Sequence, residues 1–260
     1  MTILEEILVN KKRELKETAG KVTVKELEGM EFFIRECISL SDSIAVKQRT
    51  SVIAEFKRKS PSKGFINTSA SVEEVTTGYS HHGASGISIL TDYDFFGGNI
   101  YDLALARSLV QIPILRKDFI IDEYQIIESK AIGADAVLLI AAALDIEQFN
   151  KLSRLARSVG LQVLLEVHKE GELDYINEYV SIIGVNNRDL KTLKVDMGIS
   201  LGLAGKISDD YVKISESGIS SSSAIKLLKE AGYDGFLIGE KFMGDPDPVR
   251  SFSDFVKAIN

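Results

Sequence analysis

Ser51-Val52-Ile53-Ala54-Glu55-Phe56-Lys57-Arg58-Lys59-Ser60-Pro61-Ser62-Lys63-Gly64 decides how the chain is read. Apolar residues at 52, 53, 54 and 56 favour a strand. Strand side chains alternate, so Val52, Ala54 and Phe56 share one wholly apolar face, and Ile53, Glu55 and Lys57 share the other. Burying a carboxylate and an ammonium is costly unless they are paired or used. Both stand at the C-terminal end of the strand, which points to an active site. Pro61 and Gly64 then open a loop. The alternative is a surface strand with a solvated charge run.

Downstream the pattern repeats. Strands are expected at 51–57, 86–91, 112–117, 135–141, 161–167, 181–186, 211–216 and 234–239. Helices are expected at 72–82, 101–110, 122–132, 145–159, 169–178, 197–206, 220–231 and 246–259. Such alternation implies parallel strands joined by right-handed crossovers. Gly83, Gly133 and Gly232 each precede a strand and read as glycines just past a helix end. Eight units in about 210 residues fit an α/β (β/α)8 TIM barrel. A doubly wound sheet fits less well, because no G-x-G-x-x-G follows the first strand. Ahead of the barrel, Ile3, Leu4, Ile7, Leu8 and Leu15 mark an amphipathic helix over 3–19, and short helical patterns continue over 23–40. Residues 1–260 read as one domain, with 1–45 as a helical extension whose apolar face covers the barrel.

Composition narrows the function. The 260 residues are 45% hydrophobic and 27% charged, with net charge −7, which argues against nucleic acid or an anionic membrane as partner. A basic cluster in an acidic protein instead suits a small anionic ligand. Cys37 is the one cysteine, so no disulfide framework or cysteine metal site is expected. The start, Met1-Thr2-Ile3-Leu4-Glu5-Glu6, has no signal-peptide character, and no run approaches the ~20 apolar residues of a membrane helix. A cytoplasmic enzyme is expected.

Barrel active sites lie at the C-terminal strand ends. There the sequence sets Glu55 and Lys57, Lys117, Glu166, Asn186 and Arg188, Glu216 and Ser217, and Gly239 and Glu240, whereas the fourth barrel strand ends in apolar residues suited to an aromatic ring. Ser217-Gly218 and Gly239-Glu240 close the last two strands, where barrels often bind phosphate through backbone N–H groups. Lysines beside glutamates suggest acid–base work. Lys117 could equally pair with Asp118 or a glutamate, and Glu166 could be a structural partner for a lysine. His168 is not expected to be Glu166's partner, on the reasoning that adjacent strand positions face opposite sides. His81 and His82 read as a helix end.

Taken together, these motifs resemble indole-3-glycerol-phosphate synthase: Glu55 through Ser62, Thr91-Asp92 with Phe95-Phe96-Gly97-Gly98, Leu115 through Ile120, Leu165-Glu166-Val167, Gly184 through Leu190, and Ser215 through Ile219. The resemblance runs from the N-terminal helices to residue 245. Glu240 stands where many members have serine. The resemblance implies ring closure, decarboxylation and dehydration of 1-(2-carboxyphenylamino)-1-deoxyribulose 5-phosphate in tryptophan biosynthesis. It makes Lys117 the general acid, Glu166 the base, Lys57 the carboxylate clamp and Glu55 its orienter, although the two lysines could exchange roles. Asn186 and Ser217 would hold hydroxyls and water, and Arg188 would orient the substrate. Phe96, Phe119 and Leu138 would pack the ring, and Ser60, Gly218, Gly239 and Glu240 would hold the phosphate. The resemblance implies no metal and no organic cofactor, and a monomer is expected. A Schiff-base aldolase on Lys117 and a sugar-phosphate-binding module are the alternatives. Phosphoribosylanthranilate isomerase fits worse, since it would want a cysteine where Glu55 and Lys57 stand.

Overall fold

The computed structural model describes residues 2–46, 50–189 and 192–259; Met1, Leu190 and Asn260, named or spanned above, lie outside them. Eight parallel strands close a barrel: β1 (Val52–Phe56), β4 (Gly86–Leu90), β5 (Ile114–Lys117), β6 (Ala136–Ile140), β7 (Gln162–Val167), β8 (Ile182–Asn186), β9 (Val212–Glu216) and β10 (Gly235–Ile238). Each lies within two residues of its expected bounds. The latest start relative to expectation is β5, whose run follows Pro113, a residue with no N–H for the ladder. Helices α4 (Val72–His81), α5 (Ile100–Leu109), α6 (Glu123–Ala131), α7 (Ile146–Ser158), α8 (Gly198–Leu203), α9 (Ser222–Glu230) and α11 (Pro248–Ile259) pack around it. Gly83, Gly133 and Gly232 all take positive φ, from 87° to 100°, so each provides the left-handed exit that a side chain disfavours.

Three expectations change. The helix expected at 169–178 is a 3-10 turn, Glu170–Tyr175. Gly171 disfavours a longer helix, and Asn177 Oδ1 accepts the Tyr179 N–H, starting a new turn. The loop after β1 contains a small antiparallel pair, β2 (Lys59–Ser60) and β3 (Gly64–Phe65). A short helix, α10 (Glu240–Met243), follows β10.

Strand alternation sorts the side chains. Val52, Ala54 and Phe56 enter the core between barrel and helices, while Ile53 enters the barrel interior with Leu115, Leu138, Leu164, Ile182 and Ile214. The N-terminal extension covers both ends of that interior. At the N-terminal end, Leu40 and Ile44 of α3 (Leu40–Ala45) pack into it. Glycines 86 and 235 admit them: a Cβ there would lie 2.6 Å from Leu40 Cδ1 and 2.9 Å from Ile44 Cγ2. At the other end, α1 (Ile3–Ala19) lays Ile3, Leu4, Ile7 and Leu8 over Phe95, Phe96 and Phe119. This apolar cover matches the role expected for the extension.

Asp135, just before β6, fastens the lower end. Its Oδ1 accepts from Arg35 Nη2 and the Ile38 N–H, each at 2.7 Å. Its Oδ2 accepts from Arg107 Nη1 and the Ile114 N–H, each at 2.8 Å. One buried carboxylate thus joins the extension, α5 and β5. Among the described residues no helix is long and apolar enough to cross a membrane.

Candidate active site

A cavity of about 560 Å3 opens at the C-terminal ends of the strands. It is lined by Glu55, Lys57, Phe96, Lys117, Phe119, Leu138, Glu166, Asn186, Arg188, Ser217, Gly218, Gly239 and Glu240, all of them candidates named above. Ser60 is the exception. The β2–β3 turn carries it into a smaller neighbouring pocket, where its hydroxyl faces Ser62 at 3.4 Å.

Two charged groups face each other in the cavity. In one, Lys57 Nζ donates to Glu55 Oε1 at 2.5 Å. Gly239 makes room for this pair, since a Cβ there would lie 2.4 Å from Glu55 Oε1. In the other, Lys117 Nζ lies 2.9 Å from Glu166 Oε2 and 2.6 Å from Glu216 Oε2. Asp118, considered above as a partner for Lys117, instead pairs with Arg116 and Lys11.

Glu216, which the sequence marks only as a strand end, completes this group. The signal was the alternation: two positions from Ile214, which faces the barrel interior, Glu216 faces it too. Gly184 leaves it space, because a Cβ there would stand 2.3 Å from Glu216 Oε1. Among the described residues Oε1 has no hydrogen-bond partner.

Burial and neighbours set these groups apart. Burial disfavours Lys117's charge, but Glu166 and Glu216 outweigh it and hold the ammonium protonated. Burial also raises both carboxyls. In Glu216 that burial and the negative Glu166 prevail over Lys117, and its pKa rises to about 7. In Glu166 burial is overcome by Lys117 and His168, and its pKa falls below the ordinary value. Two carboxyls sharing one ammonium are thereby split into a neutral-leaning and an ionised member.

A stability profile follows from Glu216. Its folded pKa lies above the ordinary 4.5, so the folded state holds the proton more tightly and stability falls as pH rises from about 4.5 to about 7. Glu216→Gln is expected to remove that slope, and so to gain in stability on the parent as pH rises from about 4.5 to about 7. Urea unfolding at pH 5 and pH 8 checks it; parallel profiles for the two proteins would refute the assignment.

His168 corrects an expectation. Residues 166 and 168 are two apart and share a side of the chain. His168 Nε2 stands 3.6 Å from Glu166 Oε1, and its Nδ1 stands 3.7 Å from Glu172 Oε2. Burial lowers its pKa, but Glu172 and Glu166 prevail and raise it.

The apolar wall is Phe96 and Phe119, with ring centres 6.0 Å apart, together with Leu138, Ile140 and Leu237. Asp92 and Asp118 hold the two rings in place: Asp92 Oδ1 accepts the Phe95 and Phe96 N–H groups, and Asp118 Oδ1 accepts that of Phe119. Lys11 of α1 lies 2.9 Å from Asp92 and 3.0 Å from Asp118. Burial raises the Asp118 carboxyl, but Lys11 and Arg116 overcome it and bring it down to about 2.

Across the cavity, Ser217 and Gly218 take successive positive φ values of 67° and 76°. For Ser217 this is strained backbone, of the kind retained at functional sites. A Cβ on Gly218 would lie 2.4 Å from Val195 Cγ1. Consecutive residues of this kind can turn their N–H groups toward an anion. Among the described residues no group of three or more His, Cys, Asp or Glu side chains is arranged to hold a metal ion.

A family model described as "Indole-3-glycerol phosphate synthase" matches residues 4–255. A Bacteroides thetaiotaomicron protein named "Indole-3-glycerol phosphate synthase" is 47% identical over 257 residues, covering 99% of this chain and 98% of the relative. A Ralstonia nicotianae protein named "Indole-3-glycerol phosphate synthase 2" is 42% identical over 250 residues, covering 94% and 92%. Among solved structures, a 3-hexulose-6-phosphate synthase superposes with TM-score 0.63 at 15% identity, covering 80% of this chain and 99% of that one. A mutant tryptophan synthase alpha-subunit from Pyrococcus furiosus does so with TM-score 0.62 at 13% identity, covering 81% and 98%. At such identities these structures show the shared barrel fold alone.

Proposed function

We propose individual roles for the cavity residues from the premise that the chain belongs to the indole-3-glycerol phosphate synthase family, carboxy-lyases that close and decarboxylate the indole ring in tryptophan biosynthesis. The observation that carries them is the Lys117–Glu166–Glu216 group, set opposite Glu55–Lys57 across a cavity with an aromatic wall. The substrate is 1-(2-carboxyphenylamino)-1-deoxyribulose 5-phosphate. Its aryl ring lies against Phe96, Phe119 and Leu138, and its carboxylate draws Lys57 from Glu55. Arg188 orients the anionic substrate, and Gly218 and Gly239 offer backbone N–H groups to the phosphate.

The ring carbon bearing the carboxylate then bonds to the ribulose carbonyl carbon. The carbonyl oxygen gains the electron pair, and Lys117 protonates it. The bond to the carboxylate breaks, CO2 leaves, and its electrons return to the ring. Lys57, freed of the departed carboxylate, protonates the new hydroxyl, which leaves as water, while Glu166 accepts the proton released from the neighbouring ring carbon, giving the indole. Glu55 reorients Lys57 and stabilises positive charge on the substrate nitrogen. Glu216, poised near neutrality 2.6 Å from Lys117, returns to it the proton passed to the carbonyl oxygen. Asn186 and Ser217 hold the sugar hydroxyls and the departing water.

A Schiff-base role for Lys117 would need a neutral amine, whereas Glu166 first and Glu216 with it favour the ammonium. Residues 1–260 act as one monomeric domain in the cytoplasm, and light scattering at the mass of one chain checks the oligomeric part. Incubation with the carboxyphenylamino-deoxyribulose phosphate is expected to produce indole fluorescence, with one CO2 released per indole formed. Well-folded protein giving no product would refute these roles.

A further inference from the structure

The phosphate side of the cavity already holds an anion belonging to the protein. Glu240 opens α10 directly after Gly239, and its two oxygens face different cations. Oε1 lies 2.8 Å from Lys63 Nζ, and Oε2 lies 3.4 Å from Arg188 Nη2. Lys63 stands at the turn between β2 and β3, and Arg188 follows β8, so the carboxylate bridges two loops over the rim. Arg188 is steadied by the Leu193 carbonyl at 3.0 Å and by Ser62 Oγ at 3.3 Å. All three side chains line the same cavity as Gly218, Ser220 and Gly239. Burial of Glu240 is outweighed by Lys63, Arg188 and Lys57, so it stays ionised.

We infer that Glu240 is an internal counter-ion which occupies the cations of the phosphate seat in the empty enzyme and thereby sets its affinity for phosphorylated ligands. This rests on the reading of that wall as the phosphate seat. An entering phosphate dianion meets Lys63 and Arg188 already engaged, and a carboxylate of its own sign beside them. It binds only as Glu240 gives up both. Glu240 and Lys63 are partly exposed, so the carboxylate can swing into water at small cost. The same exchange frees the β2–β3 turn from α10 and leaves Lys63 to hold the ligand.

Calorimetric titration with inorganic phosphate tests this. Glu240→Gln keeps the size of the side chain and removes its charge, and is expected to bind phosphate about threefold to tenfold more tightly, the range two part-exposed ion pairs cover. Glu240→Ser should change affinity in the same direction, and Lys63→Met should weaken it. The KM for the phosphorylated substrate should fall in Glu240→Gln with the phosphate dissociation constant. Unchanged or weaker phosphate binding in both Glu240 variants, while the parent binds phosphate normally, would overturn the inference alone. If phosphate neither binds the parent nor competes with substrate, the reading of the seat fails and the inference falls with it.

Discussion

Lys117→Ala is expected to lower turnover by about three orders of magnitude or more while leaving phosphate-dependent binding largely intact. Lys117 is the cation shared by Glu166 and Glu216, and it faces the cavity where the carbonyl oxygen would gain charge. Removing it deletes the proton donor and leaves two buried carboxyls close together, one of which must take up a proton. The phosphate wall lies on other strands and keeps its groups. Lys117→Arg separates charge from acidity: a guanidinium restores the positive charge but gives up a proton far less readily. It too should be nearly inactive if proton transfer is the role. Single-turnover assays with both variants, alongside phosphate titration, read the outcome. Near-normal turnover in Lys117→Ala would remove Lys117 as the acid.

The largest stability effect is expected at the other end of the barrel. Asp135→Ala strips four donors of their acceptor at once, including the buried Arg107 guanidinium. Breaking a buried ion pair from one side costs roughly 3–5 kcal/mol, because the remaining charge stays buried without compensation. In a chain of this size that corresponds to a loss of about 10 °C in Tm. Asp135 is remote from the cavity, so the folded fraction should turn over as the parent does. Thermal unfolding and the rate per folded molecule check both halves. A shift below about 2 °C would show that Asp135 is not the fastening point.

What could be read in the sequence followed the period of two. Ile53, Glu55 and Lys57 were separable from Val52, Ala54 and Phe56 because a strand buried on both sides needs both sets filled. The charged residues that line the cavity could be picked out for the same reason, since charges at the ends of apolar strands have few other uses. Short elements carry too little period to be read: β2 and β3 have two residues each, and α10 has four. Glu216 was visible as a residue but not as a role. Its importance comes from sharing Lys117 with Glu166, a contact spanning three strands that no local pattern encodes. Ser60 lies in the neighbouring pocket because the β2–β3 pairing turns it there, and a two-residue strand leaves no period to show that turn. His168 obeys the alternation: it stands two positions from Glu166 and so shares its side of the chain.

The Glu55–Lys57 pair gives the cycle a direction. On the proposed roles, the incoming molecule carries a carboxylate that competes with Glu55 for the ammonium. The outgoing molecule has lost that carboxylate as CO2. Glu55, which accepts from the Lys57 ammonium at 2.5 Å in this structure, then recaptures it unopposed. The enzyme therefore grips what enters by one charge more than what leaves, and its own reaction erases the handle by which the substrate was held. Product departure is favoured by the chemistry just completed, and the vacated site is reset for the next molecule by the return of a single side chain.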